Sequence, residues 1–85
     1  MFISNTTTDE IIELHQNISN NVKFYRNQKG MSQMELSLLM GFKNSAFIGA
    51  CENNANNKHF NIEQLHKISK ALEIPITSFF ENNIK

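Results

Sequence analysis

Apolar residues recur along this chain at three- and four-residue spacing, a pattern that predicts five helices and no sheet. Thr7-Thr8-Asp9-Glu10 carries the signature of a capping box, and behind it Ile11, Leu14, Ile18, Val22 and Tyr25 follow one helical stripe. One long helix fits this stripe, and so do two abutting helices with a break near residues 17–21. Ser19, Asn20 and Asn21 are poor helix formers and mark where the break would fall. Ser32 with Glu35 makes a second capping box, Leu36, Leu39 and Met40 continue that helix, and Ser37 is small enough for a close helix approach. Gly41 stands where the helix must stop, because a left-handed residue costs glycine little. Asn44 is expected to cap the next helix, in which Phe47, Ile48 and Cys51 share a face at about 100° per residue. Asn61 with Gln64 opens a fourth helix, with Ile62, Leu65, Ile68 and Leu72 as its buried stripe and Ala71 allowing close packing. Pro75 stops it, and Thr77 is expected to cap a short fifth helix carrying Phe79 and Phe80. The first residues, 1–6, show no periodicity and are expected to be disordered, which leaves 7–85 as one all-α domain of modest core.

Residues 32–53 read as a unit. Two short helices joined by a tight glycine turn make a helix-turn-helix, whose second helix, here about 44–53, can lie in a DNA major groove. Ser45, Ala46, Gly49 and Asn53 point away from the apolar face of that helix.

The stretches V-K-F-Y-R-N-Q-K-G-M-S-Q-M-E-L, the Gly41 turn, Glu52-Asn53 and L-H-K-I-S-K-A-L-E-I-P-I-T-S-F-F occur in one order. Across residues 18–80, about three quarters of the chain, the sequence resembles the phage repressor and Cro-like helix-turn-helix family, also called the xenobiotic-response-element family. The resemblance implies a five-helix, repressor-like DNA-binding domain whose first helix corresponds to 18–28, preceded by an N-terminal helical extension with a packing or dimer-contact role. It also implies a buried ion pair between Arg26 and Glu52, with an ordinary surface bridge as the alternative. The span from Gly41 to Glu52 is one residue longer than is usual in the family. Placing the extra residue in the turn at Phe42-Lys43 turns Ile48 and Cys51 inward and sets Glu52 opposite Arg26.

In that register the base-proximal positions are Asn44, Ser45, Ala46, Gly49 and Ala50, none with a guanidinium or a long amide to grip a base edge. The resemblance places Gln33 at a phosphate, with Lys23, Lys43, Asn53 and Lys58 expected on the same side. The loop 53–59 is polar, and Asn54 is expected in the left-handed conformation. Gly49 lowers helix stability with no packing gain visible in the sequence. The C-terminal residues Ile76, Phe79, Phe80 and Ile84 are the expected homodimer interface, one phenylalanine sealing the core and the other joining an exposed apolar patch. I-P-I-T-S-F-F-E is similar to the end of the restriction-modification controllers within the family.

Charge sharpens the picture. The net charge is zero, yet residues 1–22 hold Asp9, Glu10 and Glu13 without a cation. Residues 23–58 hold Lys23, Arg26, Lys29, Lys43 and Lys58 against Glu35 and Glu52, a local excess of positive charge suited to phosphates. A single cysteine excludes an intramolecular disulfide, and neither a signal peptide nor an apolar run of membrane length is present. These features predict a cytoplasmic protein with no membrane partner. Cys51 reads as a small core residue. His15, His59 and His66 are scattered, without metal-ligand spacing, and no catalytic constellation is found. No enzyme, metal or cofactor is expected. The leading expectation is a DNA-binding transcriptional regulator acting as a homodimer on double-stranded DNA. The alternative is a protein-interaction module or antitoxin on the same scaffold, with a toxin or effector as partner and weak or lost base readout.

Overall fold

The computed structural model describes residues 7–82. Four α-helices, α1 (Thr8–Gln28), α2 (Gln33–Leu39), α3 (Ala46–Glu52) and α4 (Ile62–Leu72), are joined by short connections, with 3-10 turns over Ala55–Asn57 and Ile76–Phe80. Among the described residues there is no strand. Residues 1–6, expected to be disordered, and Ile84, expected at a dimer interface, lie outside the described residues.

Three helices begin where side-chain chemistry tells them to. At Thr7/Glu10, Ser32/Glu35 and Asn61/Gln64 the cap side chain accepts from the third backbone N–H. The third side chain in turn accepts from the cap N–H, so two orphan donors are satisfied at each start. The ends are equally chemical. Gly30 and Gly41 take φ of +71° and +92°. Met31 N–H then donates to Arg26 O, and Phe42 N–H to Ser37 O, the six-to-one bond of a Schellman motif. The same bond closes α4, from Ile74 N–H to Ser69 O, but there Glu73 occupies the left-handed position at φ +58°.

Ile18, Val22, Leu36, Met40, Ile48, Cys51, Phe60, Leu65, Ile68, Leu72 and Phe79 form one core, drawing on every α-helix and on the C-terminal turn. Four apolar positions expected inside lie elsewhere. Ile62, on the first turn of α4, is 66% exposed, and Leu39, on the last turn of α2, is 64% exposed. Ile11 and Leu14 are also exposed, because the first half of α1 runs beyond the core that its second half covers.

Of the two alternatives left open for α1, the single long helix is the one observed, with no break at residues 17–21. Ser19 and Asn21 are buried, and Asn21 Nδ2 donates to Phe79 O at 2.9 Å and to Glu81 O at 2.7 Å. Asn17 adds a third bond to Glu81 O. These amides fasten the C-terminal turn across α1. That turn replaces the expected fifth α-helix: five residues after Pro75 tighten into 3-10 geometry, opened by Ser78 N–H to Pro75 O, and Thr77 makes no capping bond. Phe79, expected at the dimer interface, is fully buried in the chain's own core, whereas Phe80 is 43% exposed and Ile76 is half-buried against the core.

A left-handed glutamate carries a steric penalty of about 1 kcal/mol that glycine does not, and its carboxylate also opposes the dipole at the helix end. Glu73→Gly is therefore expected to stabilise the fold by about 0.5–1 kcal/mol, a rise in Tm of several degrees for a domain this size. Thermal unfolding followed by circular dichroism checks it.

Candidate functional site

Four short segments meet at one charged network. Arg26, on the last turn of α1, reaches Glu52, on the last turn of α3, by two parallel bonds: Nε to Oε2 at 2.7 Å and Nη2 to Oε1 at 2.9 Å. Its remaining Nη1 donates to Met31 O at 2.7 Å, tying in the turn between α1 and α2. Gln33, the first residue of α2, donates from Nε2 to Glu52 Oε1 at 3.0 Å. Both charged side chains are nearly inaccessible to solvent. Forked guanidinium-carboxylate geometry is the strong form of such a pair, and here it fixes the order in which α1, α2 and α3 meet.

The network gives two expected site residues a different setting. Gln33, expected at a phosphate, is half-buried and its side-chain amide is bound to Glu52. Gly49, read as having no packing role, lies against that amide: a Cβ at this position would stand 3.2 Å from Gln33 Oε1. The small residue leaves room for the side chain that joins α2 to α3.

The expected recognition helix is shorter than 44–53. Helical geometry begins at Ala46 and ends at Glu52. Asn44 still caps, but from one position further out: Oδ1 accepts from Ala46 N–H at 2.9 Å, while Ser45, at the cap position itself, makes no such bond. This is an Asx turn, which a short polar side chain makes with the backbone two residues on. Asn44, Ala46 and Asn53 are exposed, and Ser45, Gly49 and Ala50 are half-buried. Ile48 and Cys51 are fully buried behind them, and Phe47 packs beside Phe42 and Phe60. Burial pushes the Cys51 thiol up to about 11, so it is a protonated core group.

Lys23, Lys29, Lys43 and Lys58 are all exposed. Since Arg26 is matched by Glu52, the positive excess of this region is borne by these lysines against exposed Glu35 alone. Lys43 lies in the turn before α3. Lys58 lies in the loop after it, where Asn54, Asn56 and Asn57 all take left-handed φ. The outer side of α2 is different in character, with Met34, Leu38 and Leu39 exposed.

One pair was missed in the sequence. His15 of α1 and His59 of the loop stack, ring centroids 3.7 Å apart and planes 21° from parallel. No spacing rule connects residues so far apart, and only the fold brings them together. Among the described residues no group of three or more His, Cys, Asp or Glu side chains converges as a metal site requires, and no helix is long and apolar enough to cross a membrane.

Compared with known proteins, the chain matches no family model and none of the curated sequences.

The network carries its own test. Removing only one partner strands a buried charge and costs about 3–5 kcal/mol, whereas replacing both with apolar residues of similar volume is near neutral. Glu52→Leu alone is expected to destabilise by that amount, and Arg26→Met/Glu52→Leu together to recover most of it. Urea unfolding of the two variants and the parent measures the difference.

Proposed function

We propose that this chain is a DNA-binding regulator of transcription that acts in the cytoplasm as a homodimer, with α3 entering the major groove. The observation that carries the reading is the way α2 and α3 are held. Glu52 anchors the end of α3 through Arg26 and Gln33, which leaves Asn44 and Ser45 before the helix and Ala46 and Ala50 on it as an accessible surface of small residues, with half-buried Gly49 at its edge beside the Gln33 amide. Exposed Lys43 and Lys58 flank that helix in sequence, and Lys23 and Lys29 add to the same cationic excess. Asn53, exposed at the end of α3, supplies a neutral phosphate partner.

Such a surface holds DNA mainly through counterion release, because small side chains offer few forked bonds to base edges. Preference among sequences then comes from DNA shape and from the spacing of two half-sites, with α3 of each copy in successive major-groove turns. Second-copy contact falls to exposed Phe80 with Ile76, since Phe79 is committed to the core.

A second reading is favoured by exposed Met34, Leu38 and Leu39 on α2: the scaffold serves a protein partner, as an antitoxin or interaction module does, and reads bases weakly or not at all. Apolar residues grouped on one exposed helix are a common mark of a protein contact.

Titration of random-sequence and candidate promoter duplexes over several salt concentrations separates the two. Under the DNA reading, Lys43→Ala weakens both duplexes about equally and flattens the salt slope by about one unit, whereas Ala46→Gln changes which duplex is preferred. Absence of binding to either duplex at low salt decides for the protein-interaction reading. For the dimer, sedimentation is expected to show a two-fold assembly that Phe80→Asp weakens by at least about tenfold, as a charge buried in an apolar contact requires. A monomer at high micromolar concentration rules it out.

A further inference from the structure

We propose that His15 and His59 form a proton-operated latch, whose neutral ring stack holds the first half of α1 against the loop following α3 and which opens when both rings are protonated. The first half of α1 is otherwise only partly covered by the rest of the fold. Ile11, Ile12 and Leu14 are exposed, and the core begins only at Ile18. The stack, at 3.7 Å between centroids, is the aromatic contact that joins this part of the helix to residues 53–59. Stacked neutral rings attract at this distance, and two cationic rings repel.

The surroundings favour repulsion once protons arrive. Beside the stack lies a cavity of about 290 Å³, lined on the helix side by Thr8, Ile11, Ile12, His15 and Gln16 and on the loop side by Asn54, Asn57, Lys58 and His59. Lys58 is the other titratable group facing the pair, and no carboxylate lines the cavity, Asp9, Glu10 and Glu13 all lying outside it. A doubly protonated pair therefore finds no carboxylate in this cavity to offset it, and the cation of Lys58 shares the cavity wall. One proton is tolerated, because a cation over the face of a neutral ring is a favourable arrangement. The second is not. The Nδ1 atom of His15 is moreover buried and makes no hydrogen bond among the described residues, so a proton placed there would lack an acceptor.

The titration runs in the matching direction. Burial, and then the neighbouring His59 charge, lower the His15 imidazole from its ordinary 6.5. A group whose folded form binds protons less well than its unfolded form stabilises the fold fully above its ordinary value and loses that contribution as pH falls through the lowered one. The latch is thus closed at pH 7 and opens on the acid side of 6.5. Opening releases the loop that carries Lys58. An effect on DNA affinity would rest on the reading given above, but the latch itself does not.

Hydrogen exchange of the intact chain, read by NMR as protection factors between pH 7.5 and 4.5 without DNA, tests it. The amides of residues 8–16 are expected to lose protection of order tenfold with a midpoint below 6.5, while those of α4 keep theirs. The imidazole Cε1–H signal of His15 should move with the same midpoint. In the His15→Phe/His59→Phe variant the stack remains without its protons, and protection becomes independent of pH over this range. Unchanged protection down to pH 4.5, equal loss in the double variant, or simultaneous loss across α4 overturns the proposal. Because DNA is absent from the experiment, a failure here counts against the latch and leaves the DNA reading standing.

Discussion

The Arg26–Glu52 pair is the constraint on which the arrangement of helices depends. A chain of this size has a modest core, and apolar side chains alone tolerate several relative placements of short helices. A buried guanidinium and carboxylate do not. Each must find the other in forked geometry or stand as a stranded charge. Gln33 on Oε1 and Met31 O on Nη1 complete the partners, so one placement of α1, α2 and α3 satisfies every group and neighbouring placements leave one unmet. Such a pair adds little net stability over an apolar substitute, and its contribution is to select this geometry.

That selection bears on α3, which at seven residues is too short to persist alone. Its start is shaped by the Asx turn of Asn44 and its end by Glu52, while Ile48 and Cys51 hold its inner side to the core. What is presented outward is rigid and nearly devoid of long side chains. Any partner of this surface meets a fixed shape before it meets a chemical code, whether that partner is a duplex or another protein.

Legibility in the sequence followed the range of the interaction. All three capping boxes and the Gly41 turn involve residues within a few positions of one another, so local chemistry settled them. The pairing of Glu52 with Arg26 was implied by the family resemblance, and requiring it chose the register of α3 that turns Ile48 and Cys51 inward. Local failures were confined to helix ends, where Asn44 caps from one position further out and Thr77 does not cap at all; the others are non-local. Ser19 and Asn21 look like helix breakers by propensity, but the partners of Asn21 are the carbonyls of Phe79 and Glu81. Ile11, Leu14 and Ile62 continue apolar stripes correctly, yet periodicity cannot say where the core beneath a stripe ends. The His15–His59 stack, and the seat of the Gln33 amide against Gly49, depend on segments brought together only by folding.

The bonds from Asn21 to the C-terminal turn also set an order of assembly. Their ends lie 58 and 60 residues apart in sequence, and closing so long a loop costs chain entropy that falls once intervening contacts have shortened it. The carbonyls they grip come near the end of the described chain, while Asn21 sits in the middle of its first helix. Helix-local contacts and the α1–α2–α3 junction therefore form early, and the Phe79 turn docks last. During synthesis the core accordingly stays open along one side until Phe79 has left the ribosome, and the polar residue that interrupts the apolar face of α1 is the one that waits to receive it.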